Sequence, residues 1–386
     1  MSERGPAARA LRVLHVGKFY PPHKGGMETH LRDLCERLAR DIEVGVVVAA
    51  GGGDSLEETQ NGVRVARVGT RLRVGATSFC PGTARRIRES GADLVHLHWP
   101  NPAAVISFLA SRWRGPAVLT WHSDVVRQRV SGGAFAPVLE RFLARCGAII
   151  ATSPDYAASS PVLRRHRSRC HVIPLGVDAS KFERADERAV RDVRERYGPR
   201  IVLGVGRMIY YKGFAHLVRA MRGVDARLLL IGSGPLRAEL EALRDELSLG
   251  GRVSFLGEVP DAAPYFAAAD VFALPSVARS EAFGIVQLEA MACGVPVVNT
   301  RLDSGVPFVS PDGVSGLTVP PADAPALAAA INRLLADPGL RARLGAAGKR
   351  RVAQEFSADL MAERILRLYR DVLRSAGEDG DSHEHA

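Results

Sequence analysis

Hydrophobic residues fall in short β-branched runs, separated by longer stretches where apolar positions recur every three or four residues. That is the pattern of parallel strands covered by helices. In the first half the runs are 11–16, 43–48, 63–68, 94–97, 118–121 and 148–152. The loop 18–26 leads into 27–40, where Leu31, Leu34, Cys35 and Leu38 sit at helical spacing, so a helix is predicted just after Gly25-Gly26. An extended stretch at 172–175 and a charged segment at 178–200 read as a linker carrying a short helix. A second series follows at 201–205, 227–231, 253–256, 271–274 and 295–299. Two doubly wound α/β lobes are expected, alike in pattern but without a repeated sequence. A last amphipathic helix at 360–373 precedes a polar tail, 375–386, expected to fray, with His383 and His385 solvated rather than metal-bound.

At ~150 residues per domain, 386 residues suit two lobes of middling size. The 46% hydrophobic and 24% charged content is that of a globular chain, which excludes disordered and fibrous classes. No apolar run approaches the ~20 residues that span a bilayer, and the arginine-bearing start lacks an apolar signal core, so a cytoplasmic protein is expected. Five cysteines without ligand spacing read as reduced thiols. A net charge of +10 suits anionic partners such as phosphates, nucleotides or acidic lipids. Nucleic acid is not expected: aromatics make up 6% of the chain and interleave with no basic stripe.

In open α/β sheets ligands sit beyond the carboxyl ends of the strands. Gly25 and Gly26, after the first strand, would let backbone N–H groups approach an anion, or serve a plain turn. That loop lacks the glycine fingerprint of dinucleotide binding, which counts against an oxidoreductase. Arg207 and Lys212 follow the first strand of the second lobe; they fit either two surface cations or a pair that neutralises a departing diphosphate. Gly232-Ser233-Gly234-Pro235 marks another tight strand-end turn. Glu281 precedes a helix entered through Gly284 and stopped at Gly294, and Glu289 stands about two turns into it. The two carboxylates could accept sugar and ribose hydroxyls, or merely complement a helix dipole. His122 ends one strand, and His96, His98 and Asn101 end another, without the spacing of a dedicated metal site.

Together, Phe19-Tyr20-Pro21-Pro22-His23-Lys24-Gly25-Gly26-Met27-Glu28, Gly206-Arg207 with Lys212-Gly213, Gly232–Pro235, Leu274-Pro275-Ser276 and the Glu281-to-Glu289 spacing resemble retaining glycosyltransferases of family 4, over nearly the whole chain. The resemblance implies a GT-B fold, two Rossmann-like domains facing across a cleft, with 1–177 the acceptor-side domain and 178–200 a linker. It makes 201–356 the nucleotide-sugar domain, 357–375 a helix returning to the first domain, and 376–386 a disordered tail. It implies that Arg207 and Lys212 bind the donor diphosphate, with Gly25 and Gly26 approaching it, and that Glu289 holds the ribose. Glu281 and His122 would contact sugar hydroxyls, Phe283, Gly284, Ile285 and Val286 would lie beside sugar and phosphate, and Val259 would face the base. No metal or other cofactor is implied. Transfer of a hexose from a UDP-sugar or GDP-mannose to a saccharide or lipid-linked acceptor, in cell-surface polysaccharide or glycolipid synthesis, is the expected activity.

Acceptor contacts are expected at 99–101 and 124–129. The arginines Arg164, Arg165, Arg167 and Arg169, with Arg85, Arg86 and Arg88, form either a solvated basic surface or a peripheral contact with anionic membrane at its inner face. A catalytically silent scaffold in a polysaccharide-assembly complex is the alternative reading, but it has no need of Arg207, Lys212, Glu281 and Glu289 together.

Overall fold

A computed structural model describes residues 9–23, 25–74, 77–124 and 129–384 of the chain. It divides into two compact units. The first comprises residues 1–151, 165–173 and 361–386, and the second residues 152–164 and 174–360.

The first unit is built on β1 (Arg12–Val16), β2 (Glu43–Ala49), β3 (Leu56–Gln60), β4 (Val63–Val68), β5 (Leu72–Val74), β6 (Thr77–Phe79), β7 (Leu94–Trp99), β8 (Ala117–Trp121), β9 (Ala148–Ala151) and β10 (Cys170–Val172). Its main sheet runs β10-β9-β8-β7-β1-β2-β4-β3, parallel except for the β3–β4 pair. Central strands such as β7 and β8 are buried throughout, as parallel strands covered on both faces must be. The edge strand β3 carries one apolar residue in Leu-Glu-Glu-Thr-Gln and no hydrophobic alternation, which is why the pattern along the chain does not reveal it. One face of the sheet packs Val13, Val44, Val46 and Val118 against Leu34 and Leu38 of the helix Gly26–Leu38 and against Met361, Ile365 and Tyr369 of the long helix Ala358–Glu384.

In the second unit β11 (Ile201–Val205), β12 (Arg227–Ile231), β13 (Val253–Gly257), β14 (Val271–Leu274), β15 (Val297–Thr300) and β16 (Gly316–Val319) form an all-parallel sheet in the order β13-β12-β11-β14-β15-β16. Period-two alternation sends Val202, Leu228 and Leu230 into one core and Leu203, Leu229 and Ile231 into the other, so helices cover both faces. In each unit the strand order reverses direction beside the first strand: between β1 and β7, and between β11 and β14. Those are the positions where crevices form beyond the strand ends.

The division of the chain differs from the expected one in three places. Residues 152–164 and 174–177 pack with the second unit. Ser153 caps the helix Pro154–Ser159 there, and Ser159 Oγ donates to the Asp303 carbonyl at 3.1 Å. The expected linker, 178–200, folds into the helices Ser180–Glu183 and Glu187–Tyr197, with Val193 and Tyr197 in the second unit's core. The expected tail continues the last helix to Glu384, and its final residues, 385–386, lie outside the described ones.

Candidate functional site

At the switch point of the second unit two loops meet. The one after β11 carries Arg207, which is exposed, and then Lys212. Gly213 (φ 66°) turns it into the helix Phe214–Ala220; any side chain at this left-handed position would run into the Pro275 carbonyl. The loop after β14 carries Pro275, Ser276 and Glu281. Across the two loops, Lys212 Nζ lies 2.6 Å from Glu281 Oε2, with side-chain exposures of 11% and 9%. Ser276 Oγ donates to the same carboxylate oxygen at 3.2 Å. In turn Thr300 Oγ1 donates to the Ser276 carbonyl at 2.5 Å, which fixes that loop to β15. Burial, and the Glu281 carboxylate beside it, raise the Tyr211 phenol to about 12, so the phenol remains a neutral wall of the site.

Glu281 is followed by Phe283, which is buried, and by Gly284 (φ 72°), where an added Cβ would approach Leu274 Cδ2 to 2.6 Å. The helix that begins there spans only Val286–Ala292, so Glu289 stands in its first turn, not two turns in, and is half-buried. Beneath it Gln287 Oε1 accepts from Asn299 Nδ2 at 2.9 Å, and Thr318 Oγ1 donates to Asn299 Oδ1 at 2.7 Å. This buried amide ladder anchors the helix to β15 and β16. Beside β11, the Ser233 carbonyl accepts from the Met208 N–H at 2.8 Å, the Gly257 carbonyl from the Gly232 N–H at 2.7 Å, and Ser233 Oγ donates to Glu258 Oε1 at 2.8 Å. Val259 is half-buried just beyond.

In the first unit Gly25 precedes the helix Gly26–Leu38 in extended backbone, and the Glu28 carboxylate folds back to where a Cβ on Gly25 would stand. Lys24 lies outside the described residues, as do 125–128 of the expected acceptor stretch. Asn101 caps the helix Pro102–Ser111 by accepting from the Ala104 N–H, and its amide donates to the Gly17 carbonyl at 3.0 Å, joining the β7 end to the β1 end. His122 is buried just after β8, its backbone N–H donating to the Trp99 carbonyl at 3.0 Å. His98 Nδ1 and His122 Nε2 lie 3.1 Å apart, and His30 packs edge-on to His122 with 5.0 Å between ring centroids. Burial pushes these rings towards the neutral form, His30 to about 4 and His122 well below the ordinary value.

Two family descriptions match the chain: Glycosyl transferases group 1 over residues 186–351, and Glycosyltransferase Family 4 over residues 24–181. The chain belongs to glycosyltransferase family 4. A D-rhamnosyltransferase, WbpZ, of Pseudomonas aeruginosa is 34% identical over 356 residues, covering 90% of this chain and 93% of that protein. The O-antigen chain mannosyltransferase C of Escherichia coli is 32% identical over 371 residues, 95% of this chain and all of the relative (100%). Among solved structures, sucrose-phosphate synthase from Thermosynechococcus elongatus superposes with a TM-score of 0.80 at 28% identity, over 95% of this chain and 100% of that one. The fold is GT-B, and the protein is a transferase enzyme.

Of the expected site residues of this glycosyltransferase, Lys212 and Glu281 come together in one ion pair, with Phe283 to Val286 continuing the same loop into the helix that carries Glu289. In the first unit Gly25 and Gly26 open the helix Gly26–Leu38, and His122 directly follows β8. The arginines expected to form a basic surface are largely engaged. Arg165 and His166 hold Glu140, Arg169 donates to the Leu143 and Cys146 carbonyls, and Arg85, Arg86 and Arg88 face Glu89 or Glu57. Arg164 and Arg167 are exposed. No helix among the described residues is long and apolar enough to cross a membrane.

Sequence reasoning missed the packing of four histidines, His15, His30, His96 and His122, around His98. Spacing did not suggest a cluster because its members come from three strands and a helix. One signal was available: His96 and His98 are two apart on a strand and therefore share a face. Likewise it missed that Ser276 and Thr300 steady Glu281, a link that needs the β14–β15 register.

Proposed function

We propose that this glycosyltransferase retains configuration at the anomeric carbon while moving a hexose from a nucleotide-diphosphate sugar to a saccharide or lipid-linked acceptor. The observation that carries the reading is the Lys212–Glu281 pair at the switch point, flanked by Arg207 and by the Phe283–Val286 entry to a helix. An arriving diphosphate would compete with Glu281 for Lys212 and gain Arg207 as a planar donor fork. Glu281, relieved of part of its ion pair, would accept from sugar hydroxyls, Glu289 from the ribose, and His122 would contact the sugar. Val259 would face the base through its backbone. Mannosyl and rhamnosyl transfer by the two relatives favours a hexose of that kind, delivered to a surface polysaccharide or glycolipid.

In the reaction the acceptor oxygen attacks the anomeric carbon on the face from which the diphosphate departs. The bond from that carbon to the phosphate oxygen breaks, the new glycosidic bond forms, and the departing phosphate oxygen takes the acceptor proton. Charge grows on the diphosphate as it leaves, and Arg207 and Lys212 stabilise it in the role a divalent cation would otherwise take. Glu281 positions the sugar and forms no covalent intermediate.

Thermal unfolding of the purified protein with UDP, GDP, ADP and dTDP and their sugars tests the donor site. A ligand at ~100 times its Kd should add about 2.7 kcal/mol, a rise of a few degrees. One base should raise the wild-type midpoint and leave Lys212→Ala unmoved. If no nucleotide moves the wild type, this reading of the donor site fails. Product anomeric configuration by NMR then checks retention. Exposed Arg164 and Arg167 make contact with anionic membrane testable by flotation with acidic vesicles at low salt, where failure to bind removes that part of the proposal.

A further inference from the structure

Apart from His122, the histidine cluster of the first unit has no part in the chemistry proposed above. His15 of β1, His96 and His98 of β7, His122 and Tyr369 of the last helix are all buried, so their hydrogen bonds must be found among neighbours. His98 Nδ1 meets His122 Nε2 at 3.1 Å, and His98 Nε2 meets His15 Nδ1 at 3.1 Å. His15 Nε2 reaches the Tyr369 hydroxyl at 3.3 Å, and that hydroxyl reaches His96 Nδ1 at 2.5 Å. His96 Nε2 closes on Thr120 Oγ1 at 2.8 Å. Burial, helped by the neighbouring rings, holds every imidazole neutral near pH 7, with His15 down to about 3.

A neutral imidazole has one N–H, so a ring bonded at both nitrogens donates at one and accepts at the other. A chain of such rings therefore runs in one direction throughout. Tyr369 shows which direction, because its single proton can go to only one of its two histidines. Hydroxyl donors make shorter bonds than N–H donors, so the 2.5 Å contact is Tyr369 donating to His96, and the 3.3 Å contact is His15 Nε2–H donating to Tyr369. His98 Nε2–H then donates to His15 Nδ1, and His122 Nε2–H to His98 Nδ1. The nitrogen this leaves over is His122 Nδ1, as a lone pair.

We propose that His98, His15 and Tyr369 are positioning residues that hold His122 in its Nε2–H tautomer, so that it offers Nδ1 as an acceptor to a substrate hydroxyl. The second half rests on the reading of His122 as a sugar contact; the tautomer itself does not. Two sets of three histidines among the described residues, His15–His96–His98 and His30–His98–His122, bring nitrogens within 4.8 Å of one another. Both nitrogens of His15, His96 and His98 are already engaged in the chain, however, and a cation could enter only by breaking it. His30 has both ring nitrogens buried without a partner and stands outside the chain.

Long-range proton–nitrogen correlation spectra of the full-length protein labelled with ¹⁵N-histidine test the proposal, with His122→Asn assigning the ring. His122 should show a protonated Nε2 and a bare Nδ1. Tyr369→Phe, which removes one hydroxyl, should convert His122 to a mixture of tautomers. Thr120→Val should loosen the chain from its other end, and serves should Tyr369→Phe fail to fold. A wild-type proton on Nδ1 overturns the proposal, as does a His122 spectrum unmoved by both variants. A spectrum that changes on adding EDTA also overturns it, in favour of a metal among the rings. In glycosyl transfer, Tyr369→Phe should lower kcat by roughly two- to tenfold with the donor KM unchanged. A shifted tautomer with unchanged kcat overturns the substrate role of Nδ1 alone.

Discussion

The two units place different chemistry at the same topological position. Beyond the β11/β14 switch, opposite charges meet at 2.6 Å, with a serine hydroxyl steadying the carboxylate. Beside the first unit's switch, the strands β1 and β7 and the residue that follows β8 carry neutral rings joined nitrogen to nitrogen. Both centres are buried, and burial penalises a lone charge in either. The second unit meets that penalty by pairing Lys212 with Glu281, and the first by keeping its imidazoles uncharged. The difference fits the division of labour proposed here: charge where a diphosphate arrives, and neutral acceptors where hydroxyls do. A buried ion pair is in itself weak evidence for stability, and a hydrophobic pair of the same volume would hold these loops as well. Its presence is better explained by what it binds.

The largest expected effect comes from breaking the charged centre. Lys212→Ala should lower kcat/KM by about 10³-fold through lost charge stabilisation, and should lower stability by about 3 kcal/mol because Glu281 is left buried and unpaired. Removing both partners, Lys212→Ala with Glu281→Ala, should restore most of the stability and none of the turnover. If the double variant is as unstable as the single one, the pair is not the unit of cost, and the contrast with the neutral centre weakens.

Acid should break the neutral centre first. The histidines have folded pKa values below the ordinary ~6.5, about 3 for His15 and about 4 for His30, so below that value the unfolded chain binds more protons than the folded one. Their contribution is complete above pH ~6.5 and is lost as pH falls towards those folded values. Each such ring contributes a slope of about 1.4 kcal/mol per pH unit. Denaturant unfolding from pH 7 to 5 should therefore show stability falling steeply, and His15→Asn should make the fall shallower. A flat profile would mean that the rings are not held neutral.

Salt separates the two centres more gently. Arg207 is exposed, so Arg207→Ala should leave stability within about 0.5 kcal/mol and weaken nucleotide binding about tenfold, less so as ionic strength rises. Titration calorimetry at two salt concentrations reads this directly. Equal loss at both would place Arg207 away from the phosphate.

How much of this contrast the sequence carries follows from the range of the interactions. Strands with unbroken apolar runs, such as β11, β12 and β14, were legible to the residue, because burial on both faces leaves a continuous apolar signature. The edge strand β3, the short β10 and the strand β16 were not, for they depend on neighbours supplied by the fold. Lys212 and Glu281 were legible as separate candidates, since each follows a strand. Their pairing was not, because it is made across β11 and β14, which are neighbours only once the strand order reverses. The histidine chain draws Tyr369 from the far end of the sequence, and no local pattern joins it to His15.

Ser276 gives the smallest effect on ligand binding and the finest discrimination. Its hydroxyl donates to the Glu281 oxygen that also meets Lys212, and its carbonyl is held by Thr300. Ser276→Ala removes one hydrogen bond to a charged group, about 1.5 kcal/mol, while leaving the ion pair in place. If Glu281 serves chiefly to neutralise Lys212, the loss should appear as stability alone, with donor KM unchanged, because the pair can re-form without the serine. If Glu281 instead holds a sugar hydroxyl in a fixed direction, losing the serine frees the carboxylate to rotate. KM for the nucleotide sugar should then rise several-fold while binding of the bare nucleoside diphosphate stays as it was. Comparing the two ligands on this one variant distinguishes a carboxylate kept for charge from one kept for aim.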